Sequence, residues 1–186
     1  MVDLKKGDIF MTNNFSITSK IVCFLMTEKT LWIHLYKLLT KKKLNEVRFY
    51  HVGMVLDQDT MIEQQGKVEI NSTSKIFRKN YIIWRNTNLT EEQAFKLQLI
   101  AEGDLGEGYG ILECIGKTIS WLTGIKYFSK WFDMKDRAIC AIRTIEWYNT
   151  IGETFGKSNP NYHTTDTLDE FLQQSEEWQI IGIRYE

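Results

Sequence analysis

A thiol is a nucleophile only as its thiolate. The three cysteines, Cys23, Cys114 and Cys140, therefore differ by where each could lose its proton. Cys140 falls about one turn into a helix that Asp136 would open. Unpaired backbone N–H groups and the positive end of the helix dipole lower a thiol pKa there, and the same N–H groups can hold an oxyanion. Cys23 and Cys114 fall in the middle of helical stretches and read as core residues. The plain alternative for Cys140 is also a core residue, since Ala138, Ile139, Ala141, Ile142 and Ile145 surround it in sequence.

A base must come from His34, His51 or His163. His51 opens an apolar strand, His51-Val52-Gly53-Met54-Val55-Leu56, in which Gly53 leaves room for a neighbouring backbone or a substrate. A solvated histidine at a strand end is the competing reading. His163 is an alternative base, set in the polar run Asn159-Pro160-Asn161-Tyr162 with Asp166 nearby. Glu63 lies on the expected return strand and could hold the second imidazole nitrogen, as the third member of a triad does. Register decides this. A two-residue loop at Gln58-Asp59 sends His51 and Glu63 to opposite faces, whereas an odd loop centred on Asp57, or a bulge, brings them together.

The elements that would carry these residues follow from patterning. Gly7-Asp8-Ile9 is a turn entering a strand, and Ser16 caps a helix reaching Met26. Leu31, Leu35, Leu38 and Leu39, with Trp32 and Tyr36 alongside, form a second helical piece that ends in Lys41, Lys42 and Lys43. Residues 52–56 and 61–63 read as a hairpin, with further strands at Val68-Glu69-Ile70 and Tyr81-Ile82-Ile83-Trp84. Thr90 begins a helix by capping-box logic, carrying Phe95, Leu97, Leu99 and Ile100 toward Ala101. A glycine-rich stretch at 103–110 precedes a buried helix at 111–122, the Asp136 helix runs through Tyr148 to Gly152, and the last strand covers 178–185. Strands and helices mix without regular βαβ alternation, which predicts an α+β protein with a mainly antiparallel sheet.

The chain has 186 residues, 43% hydrophobic and 25% charged, which suits one domain over 1–186 and excludes a disordered chain. With 23 basic against 24 acidic residues, no global field draws it to nucleic acid. No apolar run approaches the ~20 residues of a membrane span. The first residues, Met1-Val2-Asp3-Leu4-Lys5-Lys6-Gly7-Asp8, do not read as a secretory signal, so the expectation is cytoplasmic, or a phage or other intracellular setting. The cysteines have neither zinc-like nor redox spacing, so free thiols, no metal and no cofactor are expected.

Gly7-Asp8-Ile9, His51-Val52-Gly53-Met54-Val55, Met61-Ile62-Glu63, Gly108-Tyr109-Gly110 and Cys140 occur in the order found in a known group. Over residues 4–170 the chain resembles the circularly permuted papain-like proteins of the NlpC type, more narrowly their YiiX/YaeF branch, with lecithin retinol acyltransferase a more distant relative. The resemblance implies a permuted papain-like fold and a triad of Cys140, His51 and Glu63. It also implies thiol attack on an amide or ester carbonyl, and a substrate or oxyanion contact from Tyr109, whose other reading is a core tyrosine. The run after the nucleophile departs from the usual Cys, Ser, Glu, Leu and small apolar residue, being Cys140-Ala141-Ile142-Arg143-Thr144.

The function so implied is a cysteine hydrolase (peptidase or amidase) acting on a peptide, a peptidoglycan fragment or an ester. A lipid acyltransferase or thioesterase of the same fold and an inactive ligand-binding homologue are the alternatives. Residues 28–48 exceed the short link expected before the histidine strand and suggest a lid or insertion. Within it, 31–43 could make peripheral contact with lipid.

Overall fold

The computed structural model describes residues 2–13, 49, 51–108, 140–156 and 165–184. The expected helices at 16–26, 31–39 and 111–122, the 28–48 insertion, and Cys23, His34, Cys114, Asp136 and His163 lie outside them.

The described elements run β1 (Ile9–Thr12), β2 (His51–Val55), β3 (Thr60–Gln64), β4 (Val68–Ser72), a 3-10 segment (Thr73–Arg78), β5 (Tyr81–Asn86), α1 (Glu91–Gly103), α2 (Cys140–Asn149), α3 (Thr165–Gln174) and β6 (Trp178–Arg184). The strands form one six-stranded sheet in the order β4-β3-β2-β1-β5-β6, with every neighbouring pair antiparallel. The fold is therefore α+β, as the patterning predicts.

Strand residues alternate between the two faces, and both faces of the central strands β1 and β2 are covered. Ile9, Met11, Val52, Met54, Ile62, Ile82 and Trp84 pack against Leu97 and Ala101 of α1, Ala141 and Ile145 of α2, and Leu168 and Leu172 of α3. On the opposite face Phe10, Val55, Met61 and Ile83 pack with Leu4 and with Ile76 of the 3-10 segment. This double burial explains why β2 is a continuous apolar run rather than an alternating one.

Thr90 and Gln93 close the expected reciprocal capping box at the start of α1. The buried stripe of α1, however, is Ala94, Leu97 and Ala101, while Phe95 and Leu99 are exposed. Neither α3 nor the 3-10 segment was anticipated from patterning. The N-terminal turn is fixed by Asp8, whose carboxylate receives Arg85 Nε at 2.8 Å and Nη2 at 2.7 Å as well as the Lys5 N–H at 2.7 Å. Gly7, at φ 85°, adopts a backbone that side chains disfavour, and a Cβ there would strike Leu89. Its carbonyl accepts the Tyr148 hydroxyl from α2, which ties the cysteine helix to the turn before β1.

Candidate active site

The β2–β3 hairpin answers the register question. Gly53 stands opposite Glu63 and Val55 opposite Met61, so the turn is odd, as in the second alternative, but centred on Gln58 rather than Asp57. The Asp57 carboxylate supplies the reason, accepting the N–H groups of Asp59 and Thr60 at 2.8 Å each and the Thr60 hydroxyl at 2.7 Å. Since His51 and Gly53 share a face, His51 and Glu63 become diagonal neighbours, within reach of long side chains. Their separation is 2.6 Å between Nε2 and Oε2.

Gly53 is needed for this approach, and its neighbours are the Phe10 side chain and, as expected, a neighbouring backbone. A Cβ on Gly53 would lie 2.5 Å from Phe10 Cζ and 2.7 Å from the Ile62 carbonyl oxygen. The Phe10 ring therefore sits over the glycine and flanks the imidazole, with ring centroids 6.2 Å apart.

Cys140, the first described residue of α2, hydrogen-bonds to His51. Its sulfur also accepts the backbone N–H groups of Val52 and Ala141. Nε2 of His51 is committed to Glu63, which leaves Nδ1 for the thiol. Cys140, His51 and Glu63 are all buried, at 6%, 5% and 2% exposure. Cys140 is packed in the helix-facing core, and its sulfur meets His51, the first residue of β2.

Burial is the largest influence on each of the three groups and opposes ionisation, yet the contacts override it. His51 is raised from 6.5 to about 9, because hydrogen bonds and charge from Cys140 and Glu63 outweigh desolvation. Cys140 is lowered from the ordinary thiol value, against desolvation, by the His51 hydrogen bond, the His51 charge and the two backbone N–H groups. Glu63 is held below the ordinary carboxyl value, also against desolvation, by His51 and by the charges of Lys79 and Lys75. The arrangement favours a thiolate beside an imidazolium whose far side rests on a carboxylate, an ensemble suited to nucleophilic attack and proton return.

Several residues around this trio were not singled out from the sequence. Glu63 accepts Gln65 Nε2 on Oε2 at 3.1 Å and Asn71 Nδ2 on Oε1 at 2.9 Å. Asn71 is recoverable from strand alternation, since it faces Met61 and lies on the Glu63 side of the sheet. Arg143 reaches Glu107 at 2.6 Å and Asp104 at 3.3 Å, and Trp147 Nε1 donates to Asp104 at 2.8 Å. Together they tie α2 to the loop after α1. Ala141, Ile142 and Thr144 are buried, so the departures after Cys140 serve packing and anchorage. Tyr109 lies outside the described residues; its neighbour Gly108 accepts Gln64 Nε2 at 3.0 Å and bridges to Lys67.

No family model matches the chain, and no curated sequence does. Among solved structures it is similar to that of the metalloprotein yiiX from Escherichia coli O157:H7, at 17% identity and a TM-score of 0.59, over 98% of each chain. The chain therefore has a yiiX-like fold. The name metalloprotein belongs to that protein. In the present chain Glu63 grips the outer nitrogen of His51, which leaves a thiol and one ring nitrogen to converge. Among the described residues no group of three His, Cys, Asp or Glu could hold an ion, so this donor set does not fit a resident metal. No described helix is long and apolar enough to cross a membrane.

Proposed function

We propose that the chain is a cysteine-dependent hydrolase of the permuted papain-like type, cleaving an amide, peptide-like or peptidoglycan-like, or an ester through an acyl-enzyme. The reading is carried by one observation, the buried contact chain from Cys140 through His51 to Glu63. It is supported by the chain order of histidine strand before cysteine helix on a yiiX-like fold.

In the first half-reaction the Cys140 thiolate adds to the substrate carbonyl carbon, and the carbonyl electron pair moves to oxygen. The Ala141 N–H, which lies beside the sulfur, donates to that oxyanion. The intermediate collapses with cleavage of the bond to the leaving amine or alcohol, which takes the His51 proton and departs. A thioester to Cys140 and a neutral imidazole remain. Water then gives its proton to His51 and adds to the thioester carbon, releasing the carboxylic acid and restoring the thiolate–imidazolium pair. Glu63 holds the imidazole in one orientation and stabilises its charge throughout.

The test is treatment with an activated ester, p-nitrophenyl acetate, followed by intact-mass and peptide mapping. The parent is expected to release p-nitrophenol in a burst with a matching acetyl mass on Cys140, and Cys140→Ala to show neither. Equal release from Cys140→Ala, or acetylation confined to Cys23 and Cys114, contradicts the assignment and leaves a ligand-binding homologue as the better description.

A further inference from the structure

The third member of the trio has a cross-strand problem. Glu63 on β3 stands directly opposite Glu69 on β4, and like charges in that position destabilise a sheet. Two facing carboxylates commonly resolve this by sharing a proton. A protonated Glu63 would no longer hold an imidazolium. Yet Glu63 is buried, accepts His51 and is held below the ordinary carboxyl range.

Asn71 answers the problem. Its amide nitrogen is 2.9 Å from Glu63 Oε1 and 2.9 Å from Glu69 Oε1, so its two N–H bonds go one to each carboxylate. An asparagine amide can be written either way round, and its neighbours decide which is right. Here Lys75 donates to Asn71 Oδ1. A lysine is a donor alone, so the oxygen must face Lys75 and the nitrogen must face the carboxylates. The groups that face Glu63 are His51 from β2, Gln65 just past the end of β3, Glu69 and Asn71 from β4, and the charges of Lys75 and Lys79 from the 3-10 segment and its end.

We propose that Asn71 is a positioning residue that bridges the opposed carboxylates of Glu63 and Glu69, with Lys75 fixing its amide, and so keeps Glu63 anionic and turned toward His51. The role deepens the hydrolase reading and rests on it only for its catalytic meaning. The bridge itself is a property of the folded protein.

Carboxyl carbon NMR of Glu63 across pH tests it in the parent, Asn71→Ala, Asn71→Ser and Asn71→Ala/Glu69→Gln. Neither alanine nor serine can span two carboxylates. Asn71 is half-buried on a strand at the edge of the sheet, so both single variants are expected to fold. In each, Glu63 is expected to titrate higher than in the parent, and the acid limb of Cys140 acylation to move up with it. Removing the Glu69 charge in the double variant is expected to bring both back, which a merely structural loss would not do. An unchanged Glu63 titration in the single variants, or a shift that Glu69→Gln does not reverse, overturns the bridge. Acylation that survives His51→Ala would instead overturn the hydrolase reading and leave the bridge standing.

Discussion

Replacing His51 with alanine is expected to slow acylation of Cys140 by p-nitrophenyl acetate on the order of 10²–10⁴-fold, the usual range for a positioned acid–base group. The sign follows from the two shifts. His51 is raised from 6.5 to about 9, so the stability it contributes is fully present below 6.5 and is lost as pH rises through about 9. Cys140 is lowered, so its contribution is present above the ordinary 9.0 and is lost as pH falls through the depressed folded value. The ion pair is populated between the two folded values. The parent rate is accordingly expected to be bell-shaped, with an alkaline limb near 9 as the imidazolium is lost and an acid limb where the thiolate is protonated. In His51→Ala the thiol loses its main partner while burial remains, so the thiolate appears only at or above the ordinary thiol range. Stopped-flow release of p-nitrophenol from parent and variant measures both effects. A rate within about threefold of the parent contradicts a base at His51.

Gly53→Val is expected to produce the largest loss of folding stability among single changes near the site. The first added carbon already meets Phe10 Cζ at 2.5 Å and the Ile62 carbonyl at 2.7 Å. The phenyl ring can turn, but the Ile62 oxygen belongs to the neighbouring strand and moves only with the sheet. Overpacking of a close-packed core costs about 1–3 kcal/mol where side chains can adjust, and the backbone clash sets this case at or above the upper end. For a chain of this size that corresponds to a fall of about 6–12 °C in thermal midpoint. Displacing Phe10 also removes the ring beside His51, so the surviving folded fraction is expected to acylate more slowly. Calorimetry of Gly53→Val against Gly53→Ala reads the cost of each added carbon. A midpoint unchanged in both would mean that Phe10 and β3 do not press on this position.

These two residues also indicate what a linear sequence can convey. His51, Gly53 and Glu63 were legible as strand residues because alternation is a local rule, whereas the loop parity that lets His51 and Glu63 meet stayed open. The odd turn has a local cause, the Asp57 carboxylate capping two N–H groups of its own loop. Cys140 was legible only as the best-placed thiol. Its contact with His51 joins distant parts of the chain, and no spacing rule predicts it.

The buried stripe of α1 was not legible, for a different reason. Apolar residues at 95, 97, 99 and 100 surround that helix, so periodicity selects no face, and the sheet's position chooses Ala94, Leu97 and Ala101. By contrast, α3 carried a readable helical spacing in Leu168, Phe171 and Leu172, obscured by the polar residues before it. The 3-10 segment, capped by the Ser72 hydroxyl, is too short for periodicity to show. Asn71 and Lys75 escaped notice because their importance depends on a facing pair of carboxylates, visible only once β3 and β4 are in register.

The central claim is that Cys140 rests as a thiolate against His51, and titration of the Cys140 Cβ carbon by NMR in parent and His51→Ala addresses it without any substrate. The account predicts that the Cys140 thiol of the parent titrates below the ordinary thiol range, and that it returns to or above that range in His51→Ala. A parent Cys140 that titrates at the ordinary 9.0, unmoved by loss of the imidazole, would contradict it.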